Sequence, residues 1–217
     1  MRTNLRPRVK VCCISSREEA ELAIAHGASA LGLVSEMPSG PGVISEEEIA
    51  KIAAKVPPPV STFLLTSLRD VEGIAEQVRR CGTNTVQLCD SIDGNHERLR
   101  RSLPGVKIVQ VIHVVGPESV DDARDAARGV DAILLDSGNP ALAVKELGGT
   151  GRTHDWALSK QIVDSVDRPV FLAGGLNSVN VSEAIEAVRP FGLDLCSGVR
   201  TNGFLDGSKL SDFFAKI

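Results

Sequence analysis

The chain has 217 residues, of which 42% are hydrophobic and 24% charged, and its formal net charge is −4. That balance excludes disorder and fibrous folds, and it offers no basic field for nucleic acid. Aromatic residues make up only 3%, with no Tyr and one Trp, which argues against a base-stacking platform and predicts a core of Val, Ile, Leu and Ala.

The N-terminus, Met-Arg-Thr-Asn-Leu-Arg-Pro-Arg, lacks the apolar run of a secretory signal, and no later stretch reaches the ~18 apolar residues of a membrane span. A cytoplasmic protein that does not engage membranes is the expectation. The first predicted strand covers Arg8–Cys13, and an amphipathic helical segment covers Arg17–Gly27. Gly27-Ala28-Ser29-Ala30 suits a helix stop leading directly into a strand at Ala30–Val34. Ser45 before Glu46-Glu47-Glu48 reads as an N-cap and acidic first turn, with Glu48 placed for a capping box, ahead of a helix over Glu46–Lys55. Pro57-Pro58-Pro59 makes a stiff entry into the third strand, Val60–Leu65. A helix over Asp70–Arg80 and a strand over Thr85–Leu88 follow, and Arg98, Arg100 and Arg101 read as a solvated helix face. Next come a strand at Lys107–Val114, a helix at Pro117–Arg128, a strand at Asp131–Leu135 and a helix starting near Asp155-Trp156. The series closes with strands at Pro169–Ala173 and Gly192–Leu195 around a helix at Val179–Val188. Phe213 and Phe214 pack a last helix inward.

Eight strands, each followed by a helix-sized segment, point to a parallel sheet, and near-continuous apolar strands are expected when both faces are covered. Count and length together predict a single α/β domain over residues 1–217, a closed (β/α)8 TIM barrel. A doubly wound open sheet is the rival arrangement for the same pattern.

In such a barrel the active site lies where strands end and βα loops begin. Cys12 and Cys13 end the first strand, Cys89 and Asp90 follow the fourth, His113 lies near the end of the fifth, and Asp136 closes the sixth. A cysteine taken alone is as well explained as a small buried hydrophobe. Two adjacent on one strand leave only one to point into the barrel. The five cysteines, without CxxC spacing, read as free thiols, and no tight ligand spacing implies a metal. A carboxylate at the catalytic rim suits a general acid or base, although an Asx turn also explains Asp136. Three glycine-bearing clusters, Gly148-Gly149-Thr150-Gly151, Gly174-Gly175 and Ser197-Gly198, converge late in the chain. Glycines let backbone N–H groups approach an anion, so a phosphate site over Gly149, Thr150, Gly151, Gly174, Gly175, Ser197 and Gly198 is the expectation.

These residues carry a resemblance to the phosphoribosylanthranilate isomerase family, in order along nearly the whole chain. Lys10-Val11-Cys12-Cys13-Ile14 resembles the family's first-strand Lys-Ile-Cys-Gly-Ile, and Val86-Gln87-Leu88-Cys89-Asp90 its Val-Gln-Leu-His-Gly. Leu134-Leu135-Asp136-Ser137 matches Leu-Leu-Asp-Ser/Thr, and residues 148–156 are similar to Gly-Gly-Thr-Gly-Lys-Thr-Phe-Asp-Trp. The resemblance implies an Amadori rearrangement of a phosphoribosyl amine, with Asp136 as general acid and Cys12 as general base. It implies no metal and no organic cofactor. The partner it implies is a small phosphorylated sugar, acted on by a monomer or homodimer.

The sequence also departs from that pattern. Alignment on Ile44-Ser45 puts Gly42 where the family's Arg grips the anthranilate carboxylate; Cys13 replaces a Gly, Cys89 a His, and Arg200 a Glu. His113 and His154 stand where the family usually has neither. Gly42, Cys89, His113, Arg152, His154 and Arg200 are therefore candidate substrate-binding positions, with Arg152 or Arg200 as replacements for the lost Arg. A related isomerase acting on another phosphorylated aminosugar is one alternative. A phosphate-ligand-binding barrel without catalysis is another.

Overall fold

The structure, a computed structural model, describes residues 6–93, 95–149 and 151–217. The expectations on residues 1–5 and on Thr150 lie outside them. The eight strands are β1 Arg8–Val11, β2 Ala30–Val34, β3 Ser61–Thr66, β4 Thr85–Leu88, β5 Lys107–His113, β6 Ala132–Asp136, β7 Val170–Leu172 and β8 Gly192–Leu195. All pair in parallel with their sequence neighbours, and β1 pairs with β8, so the sheet closes into a barrel in the order β1 to β8. The open-sheet rival is thereby set aside. The helices between them are α1 Arg17–Ala25, α2 Glu46–Ala53, α3 Val71–Cys81, α4 His96–Ser102, α5 Ser119–Ala127, α6 Trp156–Ser165 and α7 Val181–Val188, with α8 at Gly207–Phe214. A 3₁₀ turn at Ser197–Val199 and the two-residue strands β9 Arg200–Thr201 and β10 Phe204–Leu205 lie between β8 and α8.

Local signals account for most boundaries. Ser45 accepts from the Glu48 N–H at 3.2 Å, Asp70 from the Gly73 N–H at 2.6 Å and Asp155 from the Ala157 N–H at 2.8 Å, each as an N-cap. Asp70 is thus the cap of α3 rather than its first helical residue. The first strand stops at Val11, two residues earlier than the apolar run suggests, because Cys13 takes a left-handed φ of 61°. That twist overturns the alternation argument for the cysteine pair: Cys12 and Cys13 both face the same cavity.

Two apolar layers hold the barrel. Val34, Phe63, Leu65, Val109, Val111, Leu134 and Phe171 fill its interior, and a larger aliphatic layer that includes Leu31, Ile49, Ile74, Ile108 and Ile162 lies between strands and helices. Burial of this kind contributes about 1.5–3 kcal/mol per large side chain. Phe213 is fully buried in the outer layer, with Phe214 packed against it. Among the described residues no helix is long and apolar enough to cross a membrane.

Candidate active site

The period-2 alternation of parallel strands aims one set of side chains down the barrel axis. At the end where the strands terminate, that set meets the βα loops around a cavity open to solvent. Cys12 and Asp136 both line it, with Cys89, Gln87, Asp194 and Cys196. Asp136 ends β6 and is 8% exposed. Its Oδ1 accepts from the N–H of the next residue, Ser137, at 2.8 Å, and the carboxylate faces the cavity. The Cys12 N–H donates to the Leu195 carbonyl at 2.6 Å, extending the β1–β8 ladder to the base of the site.

The glycine clusters converge as expected. Gly149, Gly151, Gly174, Gly175 and Ser197 line the same cavity, whereas Gly198 lies just behind it, with its Cα packed against the Leu176 carbonyl. At Gly175 the φ of 61° and the spacing both require glycine: a Cβ there would sit 2.7 Å from the Gly151 carbonyl oxygen. Two loops from different strands therefore run backbone against backbone, which presents peptide groups rather than side chains to a ligand.

The structure separates the remaining candidates. Cys89 is on the wall but fully buried, and burial pushes its thiol far above the ordinary value, so it stands there as a neutral thiol. Gly42 is not on the wall. A Cβ at Gly42 would lie 2.5 Å from the Cys13 Cβ, so the side chain of Cys13 fills the space next to it. Arg200 is turned away from the ligand space. It pairs with Glu19 at 2.8 Å and donates to the carbonyls of Cys12 (3.3 Å) and Cys13 (2.5 Å), so it braces the backbone of the cysteine pair. Arg152 is exposed and paired with Glu146. His154 lies behind Gly174 and bonds Ser159 Oγ at 2.8 Å; burial lowers its pKa, partly offset by the charges of Asp136 and Asp155. His113 bonds the Cys89 carbonyl at 3.0 Å and lines a separate groove with His96 and Gln110.

Three features escaped the sequence reading. Lys10, fully buried inside the barrel, pairs with Asp194 at 2.8 Å and lies 5.4 Å from the Phe63 ring centroid. Burial opposes its charge, but Asp194 together with the neighbouring Cys12 and Cys13 outweighs that and keeps it protonated. Cys196 lines the cavity with its sulfur 2.8 Å from that of Cys13. Lys145, paired with Asp90, borders an adjoining groove that shares Met37 and Leu147 with the cavity. Strand alternation carried a signal for the first two: Lys10 stands two residues before Cys12, and Cys196 two after Asp194. Among the described residues no group of three or more His, Cys, Asp or Glu side chains is arranged to hold a metal ion.

Comparison with known proteins supports a single family. A family profile described as N-(5'phosphoribosyl)anthranilate (PRA) isomerase matches residues 9–216. The chain is 40% identical over 209 residues to N-(5'-phosphoribosyl)anthranilate isomerase 2 of Methanosarcina mazei, covering 95% of this chain and 92% of that one. It is 36% identical over 193 residues to the isomerase of Methanocella arvoryzae, covering 88% of each. Among solved structures, it superposes on the phosphoribosyl anthranilate isomerase of Thermotoga maritima with a TM-score of 0.81 and 30% identity, covering 97% and 98% of the two chains. A second similar structure, at TM-score 0.78 and 28% identity and covering 97% of this chain and 98% of that one, is a phosphoribosyl anthranilate isomerase in complex with reduced 1-(o-carboxyphenylamino)-1-deoxyribulose 5-phosphate.

Proposed function

This chain belongs to the N-(5'-phosphoribosyl)anthranilate isomerase family, and from that premise we propose that Cys12 and Asp136 are the base and acid of its aldose–ketose rearrangement. The activity is that of an isomerase of tryptophan biosynthesis. The observation that carries the residue assignment is that Cys12, Asp136 and the glycine clusters line one cavity.

In this reading the 5-phosphate rests on the backbone around Gly149, Gly151, Gly174, Gly175 and Ser197, with Gly198 behind them. Asp136 protonates the ribose ring oxygen, and as the C1–O bond breaks the nitrogen lone pair forms the C1–N double bond, leaving an iminium. The Cys12 thiolate removes the C2 proton, and the electron pair moves toward nitrogen to give an enolamine. Tautomerisation of that enol yields the aminoketose. Each step is a proton transfer or the ring opening it triggers, for which one acid and one base suffice. Arg200 keeps the Cys12 backbone in place through its carbonyl. The protein acts in the cytoplasm on a small phosphorylated substrate, as a monomer or homodimer.

Turnover of N-(5'-phosphoribosyl)anthranilate by the wild type, and a kcat lowered about 10²–10⁴-fold in Cys12→Ala and in Asp136→Asn, are the expected results. Full rates in both variants would remove the assignment. A second reading has its own observation: the described residues lining the cavity include no Lys or Arg. An aminosugar without a carboxylate would suit such a wall. Comparing kcat/KM for phosphoribosylanthranilate with that for the phosphoribosyl adduct of unsubstituted aniline decides between them; a higher value for the uncarboxylated substrate favours the second.

A further inference from the structure

The site holds more sulfur than acid–base catalysis needs. Cys13 and Cys196 stand on adjoining segments just beyond β1 and β8, where Val11 is paired with Leu195. Their sulfurs are 2.8 Å apart, both thiols are free, and both face the cavity that opens to solvent. Neither has a place in the proton transfers assigned to Cys12 and Asp136. We propose that Cys13 and Cys196 are a thiol–disulfide modification site: on exposure to a peroxide they form a reversible intramolecular bond that disables the active site.

The chemistry balances with hydrogen peroxide as the oxidant. The Cys196 thiolate attacks one peroxide oxygen and the O–O bond breaks, giving a sulfenic acid and releasing hydroxide. Cys13 sulfur then attacks that sulfenic sulfur, the S–O bond breaks, and the second hydroxide leaves. Two thiol protons and two hydroxides make two waters, and two electrons pass from the sulfurs to the peroxide. A dithiol reductant reverses the step by thiol–disulfide exchange.

Cys196 suits the first attack. Its hydrogen bond with Cys13 lowers its pKa against the opposing effect of burial, and the Arg200 guanidinium helps. Cys13 is the better second partner, because hydrogen bonds to Cys12 and Cys196 together with burial push its thiol up and keep it protonated until then. Forming the bond draws the sulfurs to ~2.05 Å. The pull falls on a segment whose carbonyls Arg200 already holds, and on Cys196, the neighbour of Ser197 in the phosphate loop. Displacements approaching ~1 Å at such groups cost about 10²-fold in rate.

The experiment treats the full chain with hydrogen peroxide, blocks free thiols, digests it without reductant and maps the peptides. The expected result is a Cys13–Cys196 cross-linked peptide, with isomerase activity at least about tenfold lower and restored by dithiothreitol. In Cys196→Ala and in Cys13→Ala the linked peptide disappears, and the oxidant-dependent, dithiothreitol-reversible loss goes with it. A Cys12–Cys13 bond, an intermolecular bond, or oxidation confined to Cys12 would overturn the proposal, as would full activity in the cross-linked enzyme. The effect on activity rests on the function proposed above, whereas the peptide map does not. A linked peptide in a protein without isomerase activity would therefore count against that function alone.

Discussion

Cys13 and Gly42 are a coupled pair. The resemblance places an Arg at position 42 and a Gly at position 13, and the structure explains why both differ together. The Cβ of Cys13 occupies the space that any side chain at Gly42 would enter, 2.5 Å from a Cβ built there. Restoring either residue alone is therefore the wrong experiment. Gly42→Arg by itself should cost about 1–3 kcal/mol through overpacking, with a further contribution from the left-handed φ of 81°. Combining it with Cys13→Gly should recover most of the overpacking loss. A double-mutant cycle by urea denaturation measures the coupling, and additive losses would show that the two side chains do not share that space. Sequence alone marks both substitutions as departures. It does not mark them as one event, because the contact joins segments on different strands.

At the scale of elements, a single carboxylate ties α1 to the chain's C-terminal segment and to the site. Glu19 caps its own region by accepting from the Ser15 N–H at 3.0 Å, and reaches the Leu205 N–H at 2.8 Å and Arg200 at 2.8 Å. Arg200 in turn holds the carbonyls of Cys12 and Cys13. Burial works to raise the Glu19 carboxyl, but Arg200 and the two backbone donors outweigh it and keep it below the ordinary carboxylate range. Because the folded value is the lower one, this stabilisation is complete above the unfolded value of ~4.3 and is lost as pH falls through the folded value. Glu19→Gln should cost about 3–5 kcal/mol at neutral pH, since it leaves the buried Arg200 without a counter-charge. It should also flatten the loss of stability below ~pH 4. Denaturant melts at pH 7 and pH 3.5 test both parts, and an unchanged acid transition would dismiss Glu19 as its source. The helix α1 itself was plain in the chain's periodicity, and so was its stop near Gly27. Its tie to Arg200 was not, because 181 positions separate the two residues.

For the whole molecule, closure of the barrel is what creates the interior charge pair. Lys10 lies on β1 and Asp194 on β8, and they face each other directly in register. Without closure, the same strand order would leave those strands at opposite edges of the sheet. Breaking the pair on one side, as in Asp194→Asn, should destabilise the protein by about 3–5 kcal/mol, while Lys10→Met with Asp194→Leu should restore much of that stability. Equilibrium urea unfolding checks it; a single variant as stable as wild type would mean the pair does not support the closed barrel. The sequence by itself determined the eight alternating units, the aliphatic core and the strand ends that bear Cys12, Asp136 and the glycines. Those follow from local periodicity and from the chemistry of residue types at element boundaries. Only the tertiary structure decided that Arg200 serves the backbone of Cys12, that Lys10 meets Asp194 and that Cys13 meets Cys196. All three contacts cross the seam between β1 and the segments at and beyond β8, where the first and last parts of the chain come together. Local pattern holds no record of such partners, because closure sets their register and the intervening strands fix the distance between them.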